Sequence, residues 1–531
     1  MNRVVEPSPN PSKCRISTRE WTLSSLIKSG ERFHPVPRII ASSEPKRLLA
    51  KIENSEKTGI PLIIEGWHKH SRWLKEMFHI DNFRANGSAD IDVRNVHDWT
   101  DKTIPLSEFI AKSRAAPILA YPEEKERLYG KDAECPKEWN KWLHEANVIP
   151  SLLLPDGPNN LLLNQPRSSH VETLMCYLGI GDTFTPCHKD LCASSGQNLM
   201  CYTENGGSSY WFMTSGSDAP QASAYFQQLN QELDHETYVV TVEELSKAPF
   251  KIYIAEQKLG DLVLVPPRSC HQVVNKGGLT VKTSWSRMTL KGLETAYYHE
   301  LPIYRRVCRP ETYRVQSTIH YTLLRMTAEL ENIISHQSSP GPFDVKSQSD
   351  EFIDSMRRIL QLFDLMLLDE FSPNNNQMHC LSSSSSPLGT ASPAPSNASS
   401  ATLIPNEKEK EGGYIPVTCD FCGADIFQSF FECRTCVNTQ ELQGRRRTLP
   451  GDGYVVCPSC YSEGRSCKCR IMDPTQCRPF EELLQHRKKA RNALHLYTGD
   501  NSWLERLLHI PEIFPQQREL SEQRVNCNAK R

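Results

Sequence analysis

At 531 residues with a formal net charge of −2, the chain is long enough for two or three domains that each bury a core. The balance is too even for nucleic acid or an anionic membrane to be held by overall charge, and no stretch approaches the roughly 20 apolar residues of a membrane span. The run Met1-Asn2-Arg3-Val4-Val5-Glu6-Pro7 lacks the apolar core of a signal peptide, so the chain reads as intracellular and its 19 cysteines as thiols and metal ligands rather than bridges.

Residues 1–31 read as a polar, flexible tail, and 32–295 as a globular domain. Within it, Gly59 to Trp67 is a short buried strand between turns. Pro136 to Val148 carries Trp139, Trp142 and Leu143 at helical spacing behind a proline. Val171 to Gly179 is a strand ending in a turn. In Thr185-Pro186-Cys187-His188-Lys189-Asp190, His188 and Asp190 stand at i and i+2, which in an extended strand share one face. Tyr210-Trp211-Phe212-Met213 is an aromatic strand. Gly260 to Pro267 is a turn, a buried strand and a proline stop, with His271 four residues later, and Leu279 to Trp285 is a last strand. His-x-Asp alone is a short pattern with little weight. Here each ligand candidate falls beside a strand, and two histidines with one carboxylate is the ligand set of non-haem Fe(II) oxygenases. Short strands punctuated by Gly and Pro predict a barrel or sandwich whose mouth suits a metal and a small cosubstrate.

Residues 296–371 read as a helical extension, with apolar stripes over Ser317 to Ser335 and Asp350 to Phe371. These helices pack on the barrel or on each other; an antiparallel pair forming a dimer surface is the alternative. Residues 372–412, rich in Asn, Ser, Pro and Ala, read as a disordered linker. Residues 413–478 hold Cys419-x2-Cys422, Cys433-x2-Cys436, Cys457-x2-Cys460 and Cys467-x-Cys469. Eight thiolates suit two tetrahedral zinc sites in a module with too few apolar residues to fold otherwise. Cys477 is left over. Residues 479–531 read as a tail. Arg445-Arg446-Arg447 and His486-Arg487-Lys488-Lys489-Ala490-Arg491 are basic patches: solvated surface, or a nuclear-import or phosphate-contact segment.

The cysteine module resembles the ZZ-type zinc finger, with Cys467-x-Cys469 where that family usually carries histidines. The resemblance implies interleaved sites: Cys419, Cys422, Cys457 and Cys460 around one Zn(II), and Cys433, Cys436, Cys467 and Cys469 around the other. The absent histidines and an insertion at Gln440 to Asp452 depart from that family. A chromatin or peptide partner at this module is the corresponding expectation.

Residues from about 35 to 295 resemble a Jumonji C (JmjC) domain. The match rests on Gly59 to Trp67, Leu128-Tyr129-Gly130-Lys131-Asp132 with Cys135-Pro136-Lys137-Glu138-Trp139, Tyr177-Leu178-Gly179, Thr185 to Asp190, Asn198, Gly260 to Pro267 and His271. The resemblance implies a mainly β fold with helices, a double-stranded β-helix (cupin-like jelly roll), using Fe(II) and 2-oxoglutarate. His188, Asp190 and His271 would bind iron. Thr185 would hydrogen-bond the cosubstrate carboxylate, Asn198 would lie near it, and Tyr177 would line the substrate side. Where the family usually places a lysine for the distal carboxylate, this chain has Ser209. Lys282, on the last strand, is the candidate substitute, provided its side chain points inward. The resemblance implies a dioxygenase, first of all a nuclear histone lysine demethylase acting on a histone or other protein. A protein side-chain hydroxylase, or an inactive barrel in a chromatin scaffold, are the alternatives. No membrane partner is expected, and direct DNA contact is left open.

Overall fold

The computed structural model describes residues 16–336, 345–369, 379–380, 416–436 and 453–499. They fall into two units, one of residues up to 161 together with 171–296, the other of residues 162–170 together with 297 onward.

In the first unit the early elements are α1 (Leu23–Lys28), β1 (Phe33–Pro35), β2 (Arg38–Ile40), α2 (Pro45–Thr58), β3 (Leu62–Glu65), α3 (Ile80–Asn86), β4 (Asp90–Asn95), β5 (Asp101–Pro105), α4 (Leu106–Ala115), β6 (Leu128–Glu134) and α5 (Lys137–Glu145). Then follow β7 (Met175–Gly179), β8 (Phe184–His188), β9 (Ser195–Thr203), β10 (Ser208–Met213), α6 (Ala219–Gln228), α7 (Val242–Ser246), β11 (Ile252–Gln257), β12 (Leu262–Val265), β13 (His271–Lys276), β14 (Thr280–Arg287) and α8 (Leu290–Thr295). Local chemistry sets the helix ends. In α2, Glu44 accepts from the Lys46 and Arg47 amides, Pro45 fits the first turn, and Gly59 closes the helix at φ 70°.

The strands form a five-stranded sheet, β1-β11-β10-β13-β8, and a nine-stranded sheet, β2-β3-β12-β9-β14-β7-β6-β4-β5. From β7 to β10 the chain changes sheet at every strand, which is the winding of a double-stranded β-helix. Ile63, Val263 and Val265 of the large sheet meet Trp211, Met213 and Val273 of the small one in the interior. The outer face of the large sheet is covered by Ile52, Phe83, Trp139 and Trp142, and that of the small sheet by Leu26, Phe226 and Leu245. Strands buried on both faces lose polar alternation, and all six residues of β10 are buried.

Residues 16–31, expected within a flexible tail, instead cover the small sheet. The Thr18 amide and hydroxyl both donate to Asp182 Oδ1 at 2.7 Å. Trp21 meets the rings of Tyr210 and Phe212 edge-on at 5.7 Å. The buried Leu26, with Ile16, Trp21, Leu23 and Ile27 packed beside it, anchors a segment whose remaining residues are largely polar.

The second unit contains α9 (Leu301–Val307), α10 (Val315–His336), α11 (Val345–Asp369), β15 (His379–Cys380), β16 (Val417–Thr418), β17 (Asp425–Ile426), β18 (Ser429–Cys433), β19 (Tyr454–Val456), α12 (Pro458–Ser462), β20 (Asp473–Gln476) and α13 (Phe480–Thr498). Helices α10, α11 and α13 pack together. The expected tail from 479 is therefore α13 over much of its described length. It buries Leu483, Ala490 and Leu494, a stripe concealed in the sequence by the surrounding Arg and Lys. Arg487, read as part of a basic patch, is buried and its Nε donates to Asp364 Oδ1 at 2.5 Å. The linker at 372–412, apart from β15, lies outside the described residues, as does the insertion at Gln440 to Asp452 with its Arg445-Arg446-Arg447.

Candidate metal and cosubstrate site

His188 ends β8, His271 begins β13, and the two are register partners across the small sheet. Asp190 lies two residues beyond the end of β8. One ligand atom from each of the three residues lies within 4.8 Å of the others, with His271 Nε2 3.9 Å from Asp190 Oδ1. His188 Nδ1 bonds the Pro186 carbonyl at 2.8 Å and His271 Nδ1 the Ser269 carbonyl at 3.0 Å. A carbonyl only accepts, so each Nδ1 carries the proton and each Nε2 keeps its lone pair for a metal. Burial lowers the pKa of both imidazoles, that of His271 to about 4, so both are neutral ligands at pH 7. Asp190 needs its neighbour to be glycine: a Cβ on Gly196 would stand 2.3 Å from Asp190 Oδ2.

Behind the triad, Trp211 stacks on His271 with ring centroids 5.8 Å apart. Its Nε1 donates to Gln257 Oε1 at 2.9 Å, and Gln257 Nε2 donates to Asn198 Oδ1 at 3.1 Å. Asn198 thus belongs to the layer that fixes Trp211.

Lys282 points into the barrel and is 1% exposed. Its Nζ donates to Ser209 Oγ at 2.9 Å and to Asn275 Oδ1 at 2.5 Å. Ser209 Oγ in turn donates to the same Asn275 oxygen at 2.7 Å, and Asn275 Nδ2 donates to Thr183 Oγ1 at 2.8 Å. Among the described residues no carboxylate pairs with Lys282, and burial pushes its pKa down to about 7. The lysine of β14 therefore ends beside the serine of β10: the charge that Ser209 lacks arrives from the opposite sheet. A buried ammonium cradled by neutral oxygens suits an anion's carboxylate.

Thr185 Oγ1 lies 3.1 Å from the Tyr129 hydroxyl. Tyr129 stacks on Tyr177 at 6.5 Å, and the Tyr177 hydroxyl donates to Asp132 Oδ1 at 3.0 Å. Burial raises the pKa of both phenols, so both stay protonated. Thr185, Tyr129 and Tyr177 form one chain of contacts, while Asn198 and Gln257 form another. Sequence reading missed Asn275, Gln257 and Asp132 as site residues. Asn275 was within reach, since it stands at i+4 from His271 on one strand face. Gln257 and Asp132 carry no such local signal.

The donor set fits the expected groups: two neutral imidazoles with free Nε2 atoms and a carboxylate suit Fe(II), and the Lys282 cradle suits a dicarboxylate. In the second unit, Cys419, Cys422, Cys457 and Cys460 converge, as do Cys433, Cys436, Cys467 and Cys469, each group within 4.8 Å. Sulfur separations of 3.9 Å (Cys422 to Cys457) and 3.5 Å (Cys433 to Cys469) are near the ~3.8 Å edge of a tetrahedron of 2.3 Å Zn–S bonds. The Cys457 and Cys436 amides donate to Cys419 Sγ and Cys433 Sγ at 3.3 Å, which favours thiolate.

Residues 175–286 match the family described as JmjC domain, hydroxylase, a span that encloses the triad, Ser209 and Lys282. The chain is also 27% identical over 451 residues to the C-module-binding factor A of Dictyostelium discoideum, covering 83% of this chain and 40% of that protein. The JmjC resemblance and the mainly β fold with a cysteine module compatible with zinc are thus borne out.

Proposed function

We propose that this protein is an Fe(II)- and 2-oxoglutarate-dependent dioxygenase that demethylates lysine on a histone or another nuclear protein. One observation carries the reading: the His188, Asp190 and His271 ligand atoms converge beside a barrel interior that also holds the Lys282 ammonium. When bound, iron and 2-oxoglutarate with O2 supply an oxidant that hydroxylates a C–H bond and release succinate and CO2. The protein's part is position and a dry site. His188, Asp190 and His271 hold the metal on one face. Lys282, steadied by Ser209 and Asn275, receives the distal carboxylate, and Thr185 bonds the cosubstrate from β8. Tyr129 and Tyr177 form an aromatic wall beside the metal against which a methylated ammonium packs. Hydroxylation of an N-methyl group gives a hemiaminal that collapses to formaldehyde and free lysine.

The zinc module would hold chromatin or a peptide partner and so bring the barrel to its substrate. Nuclear residence follows from that reading.

A second reading is a binding protein whose barrel is inert. The relative's printed name, a module-binding factor, favours it. Succinate formation by the zinc-loaded chain with Fe(II), ascorbate and pooled methylated histone peptides separates the two. Peptide-stimulated succinate that is lost in His188→Ala supports the demethylase. Succinate from unmethylated peptides would point to a side-chain hydroxylase, and bound metal without succinate to the scaffold.

A further inference from the structure

The residue that follows each histidine ligand turns away from the metal. Lys189 lies between His188 and Asp190, and Gln272 follows His271; strand alternation sends both to the outer face of the small sheet. Both are buried there, at 2% exposure. Both meet the same stretch of chain, residues 233–240. Lys189 Nζ pairs with Asp234 Oδ1 at 3.1 Å, with the aspartate side chain fully buried. The Val240 amide donates to Gln272 Oε1 at 2.9 Å, and Gln272 Nε2 returns a bond to the Val240 carbonyl at 2.7 Å. Between these ties the Cys187 amide donates to the Tyr238 carbonyl at 3.0 Å.

On the far side of Asp190 the backbone is strained. Cys192 and Ala193 are consecutive non-glycine residues at φ 51°. Both are fully buried, and a Cβ on Gly292 would stand 2.7 Å from the Ala193 carbonyl oxygen. A left-handed residue costs about 1–2 kcal/mol and persists only when its surroundings over-determine it. A buried ion pair also adds little net stability relative to apolar residues of similar volume. Neither feature is explained by fold stability, and the two flank the metal-binding turn.

We infer that residues 233–240 are an external brace for the metal site, with Asp234 and Gln272 as positioning residues acting through Lys189 and the β13 backbone. The brace fixes the two ligand strands against each other, so the triad is set before metal arrives. This inference rests on the metal-binding part of the proposed function.

The test is Mn(II) titration of the zinc-loaded full chain, followed by the EPR signal of free and bound ion, alongside the melting temperature without added Mn(II). Wild type is compared with Asp234→Asn, Gln272→Met and the apolar double variant Lys189→Met/Asp234→Leu. Losing a support of this kind weakens metal affinity by about 10- to 100-fold. The expected result is weakening of that size in all three variants, with the melting temperature of the double variant near wild type and the bound-Mn(II) line shape broadened. Recovery of both affinity and melting temperature in the double variant would make the pair a fold support only and overturn the inference. Wild-type affinity in Gln272→Met and the double variant would overturn it while leaving the oxygenase reading intact. No Mn(II) binding by wild type would overturn both.

Discussion

Lys282 Nζ and Asn275 Oδ1 lie 2.5 Å apart across the barrel, joining β14 of the large sheet to β13 of the small one. Ser209 Oγ, 2.9 Å from the same nitrogen, occupies the position where the JmjC resemblance leads one to expect a lysine. The charge has changed strands while its destination has stayed.

Lys282→Met should raise the 2-oxoglutarate requirement about 10- to 100-fold, the loss of charge-assisted hydrogen bonds worth roughly 1.5–3 kcal/mol. Succinate formation against cosubstrate concentration measures it. Adding Ser209→Lys to Lys282→Met should recover part of the affinity, because a lysine at 209 starts where the other ends. An unchanged requirement in Lys282→Met would remove this residue from the site.

Cosubstrate binding should depend on pH through the same residue. Burial holds Lys282 at about 7, below its ordinary value, so the empty site favours the neutral amine above pH 7. A dianion favours the ammonium, so binding above pH 7 takes up a proton. Affinity should fall by up to about tenfold per pH unit above 7 and level off below it. Calorimetry in two buffers of different ionisation enthalpy reads the uptake directly. The sign for the empty fold is the opposite: the unfolded chain binds more protons between pH 7 and about 10, so this group's contribution makes stability rise with pH over that window.

Gly196→Ala should abolish metal binding with little change in secondary structure. Its Cβ would stand 2.3 Å from Asp190 Oδ2, a distance that forces the carboxylate out of the triad. Mn(II) EPR together with circular dichroism checks both halves of this expectation.

The cysteine module should carry two zinc ions per chain, one for each group of four thiolates. Cys433→Ser should lower the zinc content by about one ion, and a strong chelator should unfold the module. Elemental analysis and proteolytic sensitivity report these outcomes. Retention of both ions in Cys433→Ser would refute the pairing.

Arg487→Ala should destabilise the second unit by about 3–5 kcal/mol, because it leaves Asp364 buried without this partner. Lys488→Ala, at an exposed position of the same helix, should change stability by less than about 0.5 kcal/mol. Thermal unfolding of the two variants distinguishes a structural arginine from a solvated basic patch.

The sequence by itself determined the ligand types and their order. His188 and Asp190 are legible because strand period puts i and i+2 on one face, and the paired Cys-x2-Cys knuckles because tetrahedral zinc dictates that spacing. The strands around them were legible from turn residues and apolar runs. Tertiary structure decided the rest. The direction of Lys282 could not be read from β14, because Thr280 to Thr283 are all buried and the polar alternation that marks an inward face is gone. Helix α13 passed for a tail because its charges hid Leu483, Ala490 and Leu494, whose burial depends on α10 and α11. Asn275, Gln257, Asp234 and Gln272 gain their roles from partners on other strands or loops. Local sequence records what a side chain can do, and only the closing of two sheets over a shared interior decides which side chains meet.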